Sequence, residues 1–465
     1  MGDETQVSPE QDAGSEKSRL SRKKFIGGVA GAGIGLGLAG VLAACGGGGG
    51  GGTTAEAAPT TSTGQAAANN TKPIVIGSPY PTTTSDGVEM QQGSDLAIAE
   101  INDRGGIAGR TIEHEIVDVN VFDGESETNA LNDLVTKEVD AIAIGYVTVF
   151  EPMEILRAYG APTLNASTSI QQVTAMRADP VKWAFNFQAD PTEVQYGLGF
   201  PPFLENLIAA GTFKPPSKTI FIFEGDIVYS TTISKAAQEA APALGWEVVG
   251  IEPIAGSAGP VTDWTTQIAK AKDSGASVVF NTHWNPADHA ALMKQWAADP
   301  PDAFLYLQYG ASVPEFLEIS GDSANGVVWA TVLGTMNDAV GLPFQERYKA
   351  KWGGPAGFSN AGTGYDEVYL LAHTWGITGD PRNFAANIVE LKRNIYRGVS
   401  GGYWFWSEEA NFVPAYPVEI ADPSLGNPHL FFQILPDESG NLAHQIIQPA
   451  PYVQTAYVPQ PWLSF

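Results

Sequence analysis

The residues that could do chemistry in this chain are hydroxyls and aromatics placed in short loops. Gly145-Tyr146-Val147-Thr148-Val149-Phe150 and Asn165-Ala166-Ser167-Thr168-Ser169 each put small hydroxyls where a helix is about to start. Free N–H groups at a helix N-terminus, with the helix dipole behind them, favour anions and carbonyl oxygens. Thr148, Thr168 and Ser169 can therefore hold the polar end of a small molecule. They can equally cap their own helices, which by itself accounts for Ser and Thr at such positions. A third hydroxyl-rich loop, Ser78-Pro79-Tyr80-Pro81-Thr82-Thr83-Thr84-Ser85, carries the same two readings, with Ser85 or Asp86 as the helix cap. The usual catalytic signatures do not occur: there is no GxSxG elbow, no P-loop and no HExxH spacing among the six histidines. Cys45 is the only cysteine, which excludes an intrachain disulfide framework and a cysteine-based zinc site. The pattern points to binding and implies no metal and no cofactor.

The elements that must position these loops alternate in type. Segments 73–77, 111–117, 141–144 and 162–164 read as strands, separated by a helix ending at Asp103 and helices over 126–138 and 150–159. A second series begins near Pro191, with helices over 192–209, 231–243, 263–273 and 286–297 and strands over 219–223, 246–251, 278–280 and 304–307. A strand over 326–333, helices over 343–352 and 364–375, strands over 401–406 and 431–435 and a proline-rich surface tail from Gln448 follow. Such alternation predicts an α/β protein built on doubly wound parallel sheets, whose ligands bind beyond the carboxyl ends of the strands. The loops named above lie at those ends.

A chain of 465 residues exceeds one hydrophobic core, so two lobes are expected. The net charge of −26 is carried after residue 45, where 46 acidic residues face 20 basic ones. Such a surface repels nucleic acid and anionic headgroups. The N-terminus reads as an export signal: Arg19 to Lys24 is basic, Gly27 to Ala44 is apolar and uncharged, and Leu42-Ala43-Ala44-Cys45 resembles a bacterial lipobox. Diacylglycerylation of the Cys45 thiol would anchor the chain, each buried CH₂ contributing about 0.8 kcal/mol. Ser21-Arg22-Lys23-Lys24-Phe25-Ile26 resembles a twin-arginine motif with lysine for the second arginine, which leaves the Tat and Sec routes both open. Residues 46–72, with seven consecutive glycines, read as a flexible tether whose root-mean-square reach is about 30 Å.

The most specific stretch is Ile98-Ala99-Glu100-Ile101-Asn102-Asp103-Arg104-Gly105-Gly106-Ile107-Ala108-Gly109-Arg110. Physically it is a helix end, a glycine stop, a turn and the start of a strand. As a string it resembles the helix-to-strand junction of solute-binding proteins of the leucine/isoleucine/valine type, the receptors of branched-chain amino acid and amide ABC importers. The resemblance spans 73–440. It implies a type I periplasmic-binding-protein fold, two doubly wound lobes joined by three crossings, near 190–193, 326–330 and 396–400. Lobe 1 would hold 73–192 and 330–396, and lobe 2 would hold 193–329 and 397–465.

The family's ligand-contacting loops fall on Tyr146, Thr148, Ser167, Thr168 and Ser169 in the first lobe and on Asp226, Tyr229, Trp284 and Tyr309 in the second, and Ser85 of the hydroxyl-rich 78–85 loop is a further candidate. Tyr229 occupies the tyrosine of the segment Asp226-Ile227-Val228-Tyr229-Ser230, and Trp284 the place of an aromatic that closes over the ligand. One departure bears on specificity. Where amino-acid binders carry a carboxylate for the ligand ammonium, this chain has Gly310, with no acid before Glu315. Either Asp226 or another acid replaces it, or amides, urea-like molecules and small organic acids become the ligands. The resemblance implies an exported, lipid-anchored receptor on the outer face of the cytoplasmic membrane, closing by a hinge and delivering a solute to ABC permease subunits. A sensor of the same fold and, less favoured for want of a nucleophile–base pair, a secreted enzyme are the alternatives.

Overall fold

The apolar runs of the first half assemble into one parallel sheet. β1 (Ile74–Tyr80), β2 (Ile112–Asp118), β3 (Ala141–Ile144), β4 (Thr163–Asn165) and β5 (Asn186–Gln188) lie in the order β2-β1-β3-β4-β5, every pair parallel. The structure, a computed structural model, describes residues 71–146, 150–405 and 410–465. Cys45 and Thr148, with the signal segment, lie outside the described residues.

β3 is buried along its whole length, as an Ala-Ile-Ala-Ile strand covered by helices on both faces must be. The short β5 was not expected, because Asn-Phe-Gln gives no alternation to detect. The second sheet repeats the winding. β6 (Thr219–Gly225), β7 (Glu247–Ile254), β8 (Val278–Asn281), β9 (Phe304–Gln308) and β10 (Val328–Thr331) run in the order β7-β6-β8-β9-β10. Both lobes thus change strand order beside their first strand, the switch point at which such sheets open a crevice.

Two small ladders follow: β11 (Ile395–Arg397) with β12 (Gly402–Trp404), and β13 (Ala415–Tyr416) with β14 (Asn427–Pro428). An antiparallel hairpin then completes the second sheet, β15 (Leu430–Pro436) against β10 and β16 (Leu442–Gln448) against β15. β16 lies before the expected surface tail, which begins at its last residue, Gln448, and the sequence pattern did not mark it.

Core packing shows where the chain changes sheets. Residues up to Ala189 pack on the first sheet, whereas Tyr196 already belongs to the second. Val328 to Met336 packs with the second sheet and Phe344 with the first, so the return lies between 336 and 344. The window 326–330 runs into β10, a central strand. Val399, Tyr403, Phe405 and Val413 still pack on the first sheet, and Leu430 on the second, so the last passage follows 413. Aromatic strand residues drew the eye to 401–406 as second-lobe sheet, yet Phe405 stacks edge-on to Phe187 of β5.

The helix Ser85–Asp103 is the support most relevant to the site. It crosses helix Asn360–Thr378 at Gly93 and Gly364, where a Cβ would collide with the carbonyl oxygens of Ala361 and Met90. Glycine there lets the two backbones touch, and the Ser94 hydroxyl donates to the Gly364 carbonyl at 3.1 Å. The crossing sets the N-terminal ends of both helices side by side. At its other end the first helix stops at Gly105 (φ 96°) and Gly106 (φ 72°), as the sequence implies.

Candidate functional site

The strand ends of the two sheets face each other across a cavity of about 150 Å³. Pro81, Thr84 and Asp86 follow β1, Val121 and Phe122 follow β2, Tyr146 follows β3, and Ser167 and Thr168 follow β4. From the other lobe come Ile227 and Tyr229 after β6, Trp284 after β8, Tyr309 after β9 and Leu333 after β10, with Tyr196 from the first crossing. The lining is mainly apolar. An engineered apolar cavity of about 150 Å³ takes up benzene, so this one suits a solute of about one six-membered ring.

A polar network spans the two lobes on one side of the cavity. The hydroxyls of Tyr146 and Tyr309 lie 2.6 Å apart, and Tyr146 donates to the Asn360 Oδ1 at 2.8 Å. The Asn360 amide donates to Tyr309 Oη and to Asp86 Oδ1, each at 2.8 Å. Burial raises the Asp86 carboxyl to about 6, against the lowering effect of the hydrogen bonds from Tyr309, Tyr146 and Asn360. Burial likewise holds the phenols of Tyr146, Tyr229 and Tyr309 well above their ordinary value, so all three stay protonated and able to donate at neutral pH. On the second lobe Gln308 donates to the Tyr229 hydroxyl at 2.8 Å, fixing that ring. Two further contacts cross the mouth: Ser85 Oγ donates to Glu315 Oε2 at 2.5 Å, and Phe122 lies 5.8 Å from Trp284 between ring centroids.

One lining residue from each lobe has a left-handed backbone that non-glycine residues rarely adopt, Thr168 (φ 50°) and Tyr309 (φ 40°). Strain of this kind costs on the order of 1–3 kcal/mol and collects where geometry serves a ligand. The turn at Thr168 is held from behind. Its N–H points at both carboxylate oxygens of the buried Asp190, at 3.1 and 3.2 Å. The next free amide of that helix start, Ile170 N–H, donates to Glu193 Oε2 at 2.7 Å, and Ser169 Oγ caps Gln172 N–H at 3.3 Å.

Six of the sequence-predicted residues line the cavity: Tyr146, Ser167, Thr168, Tyr229, Trp284 and Tyr309. Ser85 sits on the rim, bonded to Glu315, and Thr84 is the helix cap in its place, accepting from Gly87 N–H at 3.2 Å. Ser169 is a cap. Asp226 is exposed and holds Ser257 N–H at 2.9 Å and its hydroxyl at 2.5 Å, on a loop that does not line the cavity. The acid among the described lining residues is Asp86, on the lobe opposite Gly310. Sequence reading named Asp86 only as a possible cap, and it missed Phe122, Tyr196 and Asn360. Nothing local marks Asn360 or Tyr196, since helix crossing and chain passage bring them in. Among the described residues no cluster of three or more His, Cys, Asp or Glu is arranged to hold a metal, and no helix is long and apolar enough to cross a membrane. A wider, open hollow of about 540 Å³ lies at the far end of helix Ser85–Asp103. There Glu100 already accepts from Tyr365, Tyr369 and Arg347 at 2.7 to 2.8 Å.

A family model described as periplasmic binding protein matches residues 73–421. Among solved structures, a chain from Silicibacter pomeroyi assigned to branched-chain amino acid ABC transport is 32% identical, with a TM-score of 0.76 over 84% of this chain and 100% of that one. The branched-chain amino acid substrate-binding protein LivJ from Streptococcus pneumoniae, in complex with isoleucine, is 18% identical, with a TM-score of 0.63 over 81% and 100%. A solute-binding protein from R. palustris in complex with benzoate is 16% identical, with a TM-score of 0.62 over 83% and 99%. A comparison with curated protein sequences gives no match.

Proposed function

The chain belongs to the periplasmic binding protein family, and we propose that its aromatic cleft captures one small organic solute by closure of the two lobes. It is an extracytoplasmic solute-binding receptor of the kind that serves ABC importers. The observation that carries the ligand site is the cavity itself, lined from both lobes at their strand ends and bridged by Tyr146–Tyr309 and Asn360–Tyr309 hydrogen bonds.

The mechanism follows from which lobe holds what. With the lobes apart, Tyr146, Ser167, Thr168 and Asp86 would meet the solute first. Tyr229, Trp284 and Tyr309 then come down from the second lobe and exclude water. A correct solute supports closure because it fills the apolar space while leaving the cross-lobe polar groups paired; one that leaves a buried polar group unpaired loses about 1–3 kcal/mol. Thr148 stays within the proposal as a neighbour of Tyr146. The closed form is what a permease would recognise, and the solute leaves chemically unchanged. Lipid anchoring at Cys45 is part of the same reading, supported by the lipobox-like Leu42-Ala43-Ala44-Cys45.

The test is calorimetric titration and thermal shift of the full chain against amino acids, amides, urea, aromatic acids, dicarboxylates and amines. At least one class is expected to bind, and Trp284→Ala is expected to weaken that ligand by about tenfold, the loss typical of a central aromatic anchor. Absence of binding across the panel, or an affinity that Trp284→Ala leaves unchanged, defeats the assignment of this cleft.

A further inference from the structure

We infer that the solute held by this cleft is a small organic cation, an amine or quaternary ammonium group without a carboxylate. The inference rests on the cleft being the solute site and names the chemistry that would fill it. Phe122, Tyr146, Tyr196, Tyr229, Trp284 and Tyr309 supply six aromatic rings around one small space. Aromatic faces attract cations through the ring quadrupole, and quaternary ammonium groups are recognised by cages of this composition. Asp86 is the one charged residue among the described lining residues, and it is an acid; none of them is Lys, Arg or His. Glu315 stands at the mouth, bonded to Ser85, and adds a second negative charge.

The complementary observation concerns where an anion could go. The helix start behind Ser167–Ser169 is the natural seat for a ligand carboxylate. In this chain its Thr168 and Ile170 amides are already taken by the internal carboxyls of Asp190 and Glu193. A ligand carboxylate would have to displace a buried carboxyl from these amides, with no basic side chain lining the space to pair with it. A cation meets the reverse situation, with an acid and aromatic faces in place. The net charge of −26 also draws cations toward the surface.

The groups facing Asp86 are Glu315 from the second lobe, Glu89 on its own helix, and the donors Tyr146, Tyr309 and Asn360. No lining base opposes them, so protonation of Asp86 removes the pocket's own charge. Affinity for a cation is therefore expected to fall as the pH drops through about 6.

The experiment titrates the full chain with tetramethylammonium and benzylamine, with isoleucine and benzoate as carboxylate-bearing contrasts. Tetramethylammonium or benzylamine is expected to bind and raise the melting temperature, and the two carboxylates are not. Asp86→Asn is expected to lower cation affinity by about tenfold or more and to flatten its pH dependence near 6, a signature that a purely structural role of Asp86 would not give. Isoleucine or benzoate binding that Trp284→Ala weakens, with no ammonium binding, overturns the cation class and leaves the cleft as the solute site. Ammonium binding that neither Trp284→Ala nor Asp86→Asn changes overturns both readings. A chain that binds none of the four overturns the inference as well.

Discussion

At the cleft, Asp86 is held by side chains: Asn360 donates directly to it, and Tyr146 and Tyr309 complete the network from opposite lobes. Away from that network, Asp190 and Glu193 at the first crossing and Asp366 within the first lobe are held mainly by backbone N–H groups. Asp190 takes Thr168 N–H, Glu193 takes Ile170 N–H, and Asp366 takes Val399 and Ser400 N–H at 2.8 and 2.9 Å, with the Tyr403 hydroxyl at 2.9 Å. The difference separates parts that can exchange partners from parts that cannot. The Tyr309 hydroxyl, the one member that comes from the second lobe, would be lost on opening and can be replaced by a solute. Backbone donors of the first lobe, Thr168, Ile170, Val399 and Ser400, need no contact with the second lobe to keep their acids. The first arrangement suits a switchable contact, the second a fixed support.

The largest effect that would break this contrast is at Asp366. Asp366→Ala leaves Val399 N–H, Ser400 N–H and Tyr403 Oη without their acceptor in a buried place. At about 1–3 kcal/mol per orphaned donor, a destabilisation of about 3–5 kcal/mol is expected in denaturant unfolding. A loss below 1 kcal/mol would show that these donors find other partners and that the support is not fixed by this acid.

A pH series sharpens the comparison next. Burial pushes Glu193 and Glu89 from the ordinary 4.5 up to about 8. Between those values the folded chain binds more protons than the unfolded one, so stability is greatest below about 4.5 for these groups and is lost as pH rises toward 8. Glu193→Gln keeps an acceptor for Ile170 N–H and removes the titration. Its melting temperature is expected to decline less than that of the parent between pH 5 and 8. Parallel profiles would remove Glu193 from the account.

The smallest effect belongs to the cleft. Tyr309→Phe removes the hydroxyl shared by Tyr146 and Asn360 and leaves the ring in place. A cost of about 1 kcal/mol is expected, borne by the closed form. Small-angle scattering of the unliganded chain should then show a larger radius of gyration than the parent, with unfolding stability nearly unchanged. An unchanged radius would mean that closure does not depend on this side-chain network.

Much of the scaffold was legible because strand and helix patterns are local. The Ile98–Arg110 junction, the buried Ala141–Ile144 strand and the helix starting at Pro286 stand where their residues imply, since glycine φ, apolar periodicity and Asn285 capping act within a few positions. Tyr146, Thr168, Tyr229, Trp284 and Tyr309 could be named because they follow strands, and strand ends converge in a doubly wound sheet. Ser85, Ser169 and Asp226 fit the same rule and fail it for a reason that spacing cannot show: each has a nearby or cross-lobe partner that uses it as a rim contact, a cap or a loop tie.

The sequence by itself determined the two similar windings, the aromatic and hydroxyl character of the loops, and the lack of an acid at Gly310. Only the tertiary structure decided that Asp86 lines the cavity from the lobe opposite Gly310 and that Asn360 bonds to it. It also decided that Asp190 and Glu193 occupy the helix start an anion would need. These pairings join residues up to 274 positions apart. They depend on how two glycine-notched helices cross and where the chain passes between sheets, and no short-range pattern encodes that.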